Sequence, residues 1–211
     1  MNKIIEYLDL LFPNPRCELN YKKDYELLIS VMLSAQTTDK QVNKVTDVLY
    51  KKYDSLEKLA NANIDDIIAI IRPLGNYNKK ASNIIEISKR LINDTNGVVI
   101  NNREYLEGLP GVGRKTVNVV LANLYNEDVI AVDTHVARVS KRLGIAKEKD
   151  DVLTIEKKIN KKFPKNKLGR LHHQLVLFGR YYCRSINPSC GECKLKDICK
   201  YYKKNNKGVS K

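Results

Sequence analysis

Long apolar runs are missing from this chain. The one stretch that approaches such a run, Met1-Asn-Lys-Ile-Ile-Glu-Tyr-Leu-Asp-Leu-Leu-Phe12, is interrupted by Glu6 and Asp9. No later stretch nears the ~20 apolar residues that a membrane span needs, so no membrane partner is expected. The N-terminus does not read as a signal peptide either, and the expected location is cytoplasmic. Cysteines number only five, too few and too unevenly placed for a disulfide framework in a reducing compartment. Acidic residues are scarce, 24 Asp+Glu against 38 Lys+Arg, leaving a formal net charge of +14. That excess suits an anionic partner such as nucleic acid, although solvated lysines alone give the same balance. Alternating strand pairs, low-complexity tracts and fixed-period repeats are absent as well. The fold class expected is all-α.

What is present is a set of helical patterns. At 211 residues and 43% hydrophobic composition the chain can build one large domain or two modest ones. Residues 1–12 read as an amphipathic helix ended by Pro13 and Pro15. Tyr25–Leu33 is an apolar helix that runs into a polar break, and Thr38 or Asp39 is placed to cap the helix after it. Ser55 and Asn63 start two short helices, and a longer one is expected over Lys79–Ile92. Further helices are expected at about 102–108, 114–125, Thr134–Leu143 closed by Gly144, Val152–Lys162 and Leu168–Cys183. Residues 203–211 read as a frayed basic tail.

The chain is organised around Leu109-Pro-Gly-Val-Gly-Arg-Lys-Thr116. Pro110 stops one helix, and Gly111 and Gly113 allow a tight turn into the next. The first amides of that second helix lack intrahelical partners and lie at the positive end of its dipole, which suits a phosphate. An ordinary turn between packed helices would fit a bare Pro-Gly-Val-Gly equally well. Near the C-terminus four cysteines follow the pattern Cys183-x6-Cys190-x2-Cys193-x5-Cys199. A metal centre explains so many thiols in a short segment. Zinc is one reading, but only one Cys-x-x-Cys knuckle is present, and the uneven spacing favours a [4Fe–4S] cluster. Cys17 stands apart as a bystander. Adjacent His172 and His173 point in different directions on a helix, so packing explains them better than chelation.

The hairpin, then Val132-Asp-Thr-His135, then the four cysteines, in this order, resemble the endonuclease III family of DNA glycosylases. The resemblance extends through Leu33-Ser-Ala-Gln-Thr-Thr-Asp39, Lys79-Lys-Ala81 with Asn83-Ile-Ile85, and His172-His173 up to Gly179-Arg-Tyr181. It covers nearly the whole chain. It implies two helical domains with the active-site cleft between them. Residues 17–127 would form the helix-hairpin-helix domain, and 1–16 with 128–202 the iron–sulfur cluster domain, followed by the tail at 203–211.

The resemblance also assigns roles. Lys115 becomes the nucleophile that forms a Schiff base with the sugar of a damaged nucleotide, followed by β-elimination. A lysine of ordinary pKa, about 10.4, is protonated at neutral pH. A helix N-terminus and neighbouring Arg114 are expected to make this one less basic. Asp133 becomes the carboxylate that stabilises the sugar cation, although its position before a helix also suits an N-cap. Gln36 would enter the gap left by an extruded base. A second wedge, often leucine in the family, is here Asn76 beside Tyr77. Gly111, Val112, Gly113 and Arg114 would contact phosphate, with His135 and Arg184 as further DNA contacts. The expected partner is damaged double-stranded DNA, bound at the nucleoid by a monomer, with tight salt dependence.

The expected activity is removal of oxidised pyrimidines coupled to strand cleavage. Related adenine or mismatch glycosylases lack the hairpin lysine and carry an additional C-terminal domain; Lys115 and an end at residue 211 speak against that reading. A non-catalytic iron–sulfur DNA-binding protein would need neither Lys115 nor Asp133.

Overall fold

The computed structural model describes residues 1–205, and among them there is no strand. In chain order the helices are α1 (Asn2–Leu11), α2 (Asp24–Leu33), α3 (Asp39–Lys52), α4 (Leu56–Ala60), α5 (Ile64–Ile71) and α6 (Tyr77–Thr95). They continue with α7 (Arg103–Glu107), α8 (Arg114–Leu124), α9 (Thr134–Leu143), α10 (Val152–Lys162), α11 (Leu168–Tyr181) and α12 (Lys200–Asn205). Short polar side chains set half of the starts. Thr38, Ser55, Asn63, Asn102, Asp133 and Asp151 each accept a backbone amide of the following first turn, a contact that contributes about 1 kcal/mol apiece. Gly144 closes α9 with φ 78, the left-handed cap that glycine adopts without strain.

Three elements depart from the sequence pattern. α6 begins at Tyr77 rather than Lys79, because Asn76 takes a left-handed conformation (φ 58, ψ 33) that turns the chain directly into the helix. α11 stops at Tyr181, and Cys183 lies beyond it with its amide donating to Phe178 O at 2.7 Å. Part of the expected tail is helical. Tyr201 in α12 receives the Arg142 guanidinium over its ring at 4.2 Å, and Lys203 N bonds Cys199 O at 3.1 Å. Residues 206–211 of that tail lie outside the described residues.

The chain divides into two compact units, Glu18–Tyr125 and Met1–Cys17 with Asn126 onward. The Glu18–Tyr125 unit is built around α2, which is buried from Tyr25 to Leu33. Leu27, Leu28, Ile29 and Leu33 are fully buried there, as are Ile84, Ile87 and Leu91 of α6 and Val117 and Val120 of α8. Each such side chain contributes about 1.5–3 kcal/mol of hydrophobic stabilisation. Asp24 Oδ2 accepts Val99 N at 2.8 Å and ties the α6–α7 connection back to the start of α2.

The other unit packs α1, α9, α10, α11 and α12 around Ile4, Leu8, Val136, Val139, Leu175 and Phe178. Gly179 permits α9 and α11 to approach closely, since a Cβ there would stand 2.9 Å from His135 Cβ. Asp9, the charge that interrupts the first apolar run, accepts Gln174 Nε2 at 2.8 Å and Arg170 Nε at 2.9 Å. Those two donors, Gln174 first, hold its carboxyl below the usual range. His172 is buried, with Nδ1 2.9 Å from Ala131 O, so it joins α11 to the segment leading into α9.

Candidate functional site

In the hairpin, Val112 is buried and anchors the turn, whereas Gly111, Gly113, Arg114 and Lys115 are exposed. Val112 N donates to Leu109 O at 3.2 Å, and Gly111 has φ 75. Gly113 precedes α8 with no side-chain cap, and the first turn of the helix carries no acidic residue. The first intrahelical bond is Val117 N to Gly113 O. The amides ahead of it therefore have no intrahelical acceptor and present an electropositive edge suited to a phosphate oxygen. Lys115 is the second residue of α8, on that edge.

Gln36 is exposed on the turn after α2 and adopts φ 58. Asn76 is exposed and left-handed at the start of α6, with Tyr77 half-buried beside it. One helix connects these features. On α6, Lys80 Nζ donates to Ala35 O at 2.9 Å, and the buried Asn83 lies against Gly111. The Gln36 turn, the Asn76 corner and the hairpin are thus referenced to a common element. Lys79-Lys-Ala81 and Asn83 are legible as motif residues, but nothing in their spacing marks Lys80 and Asn83 as the side chains that hold neighbouring turns.

In the other unit Asp133 caps α9, its Oδ1 accepting Val136 N at 2.8 Å. His135 follows on the same turn, half-buried, with Nδ1 3.2 Å from Arg138 NH2. A guanidinium only donates, so Nδ1 accepts and the ring is neutral with its proton on Nε2. Burial, opposed by Asp133 and reinforced by Arg138 and Arg180, pushes the His135 pKa down. Arg138 also donates to Cys183 O and Gly179 O, which fixes it between α9 and the end of α11.

Cys183, Cys190, Cys193 and Cys199 line one partly open pocket, together with Leu143, Phe178 and Tyr202 among others. Cys17 is not part of it. Among the described residues no group of three or more His, Cys, Asp or Glu could hold a single metal ion. Burial and the neighbouring cysteine sulfurs push the Cys190 and Cys193 thiols up. Arg142, 8% exposed, donates to Cys183 Sγ at 3.4 Å and to the carbonyls of Cys183, Arg184 and Ser185. A buried cation beside the thiols matches an anionic thiolate-bound centre. No sequence signal distinguishes Arg142 from a solvated basic residue at a helix end. Arg184 is exposed and bonds Asn187 O at 2.9 Å, folding over its own loop.

Residues 29–165 match the HhH-GPD superfamily base excision DNA repair protein family. The chain is 45% identical over 202 residues to endonuclease III of Bacillus subtilis (strain 168), covering 95% of this chain and 92% of that one. The chain belongs to the endonuclease III family. Two solved endonuclease III structures superpose on it. A trapped endonuclease III–DNA covalent intermediate matches with TM-score 0.91 and 42% identity over 97% of this chain and 98% of that one. A non-covalent endonuclease III–DNA complex matches with TM-score 0.92 and 42% identity over 97% and 95%. The chain is accordingly a DNA glycosylase/AP lyase of base excision repair.

Proposed function

We propose that the chain removes oxidised pyrimidines from duplex DNA and cuts the strand at the same site, with Lys115 as nucleophile and Asp133 as the carboxylate that assists it. The amine of Lys115 attacks the anomeric carbon, the glycosidic bond breaks, and the base departs with the bonding pair and gains a proton. The aminal then opens, its C1′–O4′ bond breaking as the ring oxygen takes a proton, and the protonated Schiff base so formed acidifies the adjacent sugar carbon. Loss of that proton expels the 3′ phosphate oxygen, and water then hydrolyses the imine and returns the free amine. Asp133 stabilises positive charge on the sugar while its cap bond holds it in place.

The observation that carries this reading is the position of Lys115: an exposed amine in the first turn of α8, beside amides suited to a phosphate. The covalent DNA intermediate trapped in a relative supports it. Gly111, Val112, Gly113 and Arg114 bind phosphate on one unit, and His135 and Arg184 contribute from the other. Gln36 fills the gap left by the extruded nucleotide, with Asn76 and Tyr77 as a second, more polar wedge. Cys183, Cys190, Cys193 and Cys199 would hold a [4Fe–4S] cluster, whose fit rests on four soft donors around one pocket and on Arg142. When bound, such a cluster cross-links the C-terminal segment and supplies a redox-active group, while base removal stays with Lys115 and Asp133. The protein acts as a monomer on damaged double-stranded DNA, in the cytoplasm at the nucleoid.

Duplexes carrying thymine glycol, an abasic site or an adenine mismatch, incubated with borohydride, test the reading. Thymine-glycol and abasic duplexes should be nicked and trapped as a covalent adduct, and Lys115→Ala should form none. An undiminished adduct in that variant overturns the assignment of Lys115, and preferential cutting of the mismatch moves the substrate to adenine.

A further inference from the structure

Lys80 is buried to 6% exposure in the second turn of α6. Burial alone is enough to hold its ammonium below the ordinary lysine range. Placing an ammonium in such a position is unfavourable unless it is compensated, whereas a methionine would fill similar space without that cost. What the ammonium does is donate to Ala35 O at 2.9 Å. This carbonyl belongs to the peptide that leads into Gln36, so holding it fixes the plane about which the Gln36 φ rotates. Gln36 sits at φ 58, a left-handed conformation that strains a non-glycine residue. Inside the turn Ala35 N bonds Met32 O at 3.4 Å, Thr37 N bonds Ser34 O at 3.1 Å, and Thr37 Oγ1 reaches Ala35 O at 3.4 Å, so Lys80 makes the shorter of the two contacts to that carbonyl. The backbone of Lys80 makes the second connection, its N–H donating to Asn76 O at 3.0 Å. One residue therefore grips both left-handed corners, Gln36 through its side chain and Asn76 through its amide.

We propose that Lys80 is a positioning residue for gap filling: its ammonium holds the Ala35 carbonyl so that the turn presents Gln36 to the base opposite an extruded nucleotide. The inference rests on the reading of Gln36 as the residue that enters the gap. The charge is the useful part, because a charged donor restrains a carbonyl more strongly than a neutral one.

The test compares Lys80→Met, Lys80→Arg, Gln36→Ala and the Lys80→Met/Gln36→Ala double variant. Each is assayed for borohydride trapping rate on an abasic site placed opposite each of the four bases. Losing one charge-assisted hydrogen bond should slow Lys80→Met by about tenfold opposite the preferred base and flatten the opposite-base range. Lys80→Arg should recover part of that range, and the double variant should be no slower than the slower single one. Retention of the wild-type range in Lys80→Met, with flattening in Gln36→Ala, overturns the role of Lys80 and leaves Gln36 standing. An unchanged range in Gln36→Ala overturns the gap-filling reading itself. Equal slowing of Lys80→Met opposite all four bases, with a lowered melting temperature, makes Lys80 a structural brace only and also overturns the proposal.

Discussion

Gly111 of the hairpin and Asn83 of α6 are packed so closely that a Cβ on Gly111 would collide with Asn83 Nδ2, with Asn83 Cγ at 3.3 Å and Met32 Cγ at 3.4 Å. The same glycine has φ 75, which a side chain resists independently of space. Two costs are therefore separable. Gly111→Ala should lose about 2–3 kcal/mol of unfolding free energy, combining left-handed strain with overpacking. In an Asn83→Ala background the collision with the carboxamide disappears, and the further cost of Gly111→Ala should shrink to the strain of about 1 kcal/mol. Urea unfolding of the four proteins measures both. An equal cost in the two backgrounds would show that Asn83 does not support the hairpin.

Asp133 holds a helix and is proposed to serve the reaction, and asparagine separates the two roles. Asparagine caps a helix as well as aspartate does, so Asp133→Asn should melt within a degree or two of the parent. Activity should nonetheless fall by at least about a hundredfold, because the negative charge facing a developing sugar cation is gone. Duplex affinity should change little. Asp133→Ala should add a stability loss of about 1 kcal/mol from the missing cap. Full activity in Asp133→Asn would leave Asp133 as a cap alone.

Much of this arrangement is legible in the sequence because the deciding signals are local. Thr38, Ser55, Asn63 and Gly144 mark helix ends within one turn of where they act. The four cysteines lie within a short segment, so their common role shows as spacing. What escapes is held by distant partners. The start of α6 depends on Asn76 taking φ 58, which sequence permits but does not require. Lys80 looks like any lysine in Lys79-Lys80 until Ala35, 45 residues away, is found at its ammonium. Arg142 reads as a favourable charge at the end of α9, yet its partners lie 41 to 43 residues on, and it lies over Tyr201 of α12, the helix that runs into the expected tail.

Arg142 supplies the third prediction. Its guanidinium satisfies the carbonyls of Cys183, Arg184 and Ser185 and touches Cys183 Sγ. Arg142→Met removes these bonds, and although Cys183 O keeps its Arg138 donor, the carbonyls of Arg184 and Ser185 lose this one. Purified Arg142→Met should carry substoichiometric iron and reduced visible absorbance. Arg142→Lys, a single point charge without the fork, should retain only part of both. Iron content equal to the parent in Arg142→Met would remove Arg142 from the proposed cluster site.

Two half-buried histidines should make the fold sensitive to acid. Burial pushes down the pKa of both His135 and His173. An unfolded histidine titrates near 6.5, so in acid the unfolded chain takes up protons before the folded one does. Stability therefore rises with pH wherever the unfolded state holds more protons. Above the unfolded pKa both states are neutral at these positions and nothing changes; below it, stability drains until pH reaches the lower folded value. The melting temperature should accordingly change little above the unfolded histidine value of about 6.5 and decline as pH falls below it. His173→Gln should flatten part of the decline, and His135→Gln another part, since the two rings lie on different helices, α11 and α9. Arg138 sharpens the expectation for His135, because its donation to Nδ1 at 3.2 Å leaves no lone pair there for a proton. A melting profile of the His135→Gln/His173→Gln double variant that declines as steeply as the parent's would assign the acid sensitivity to other groups.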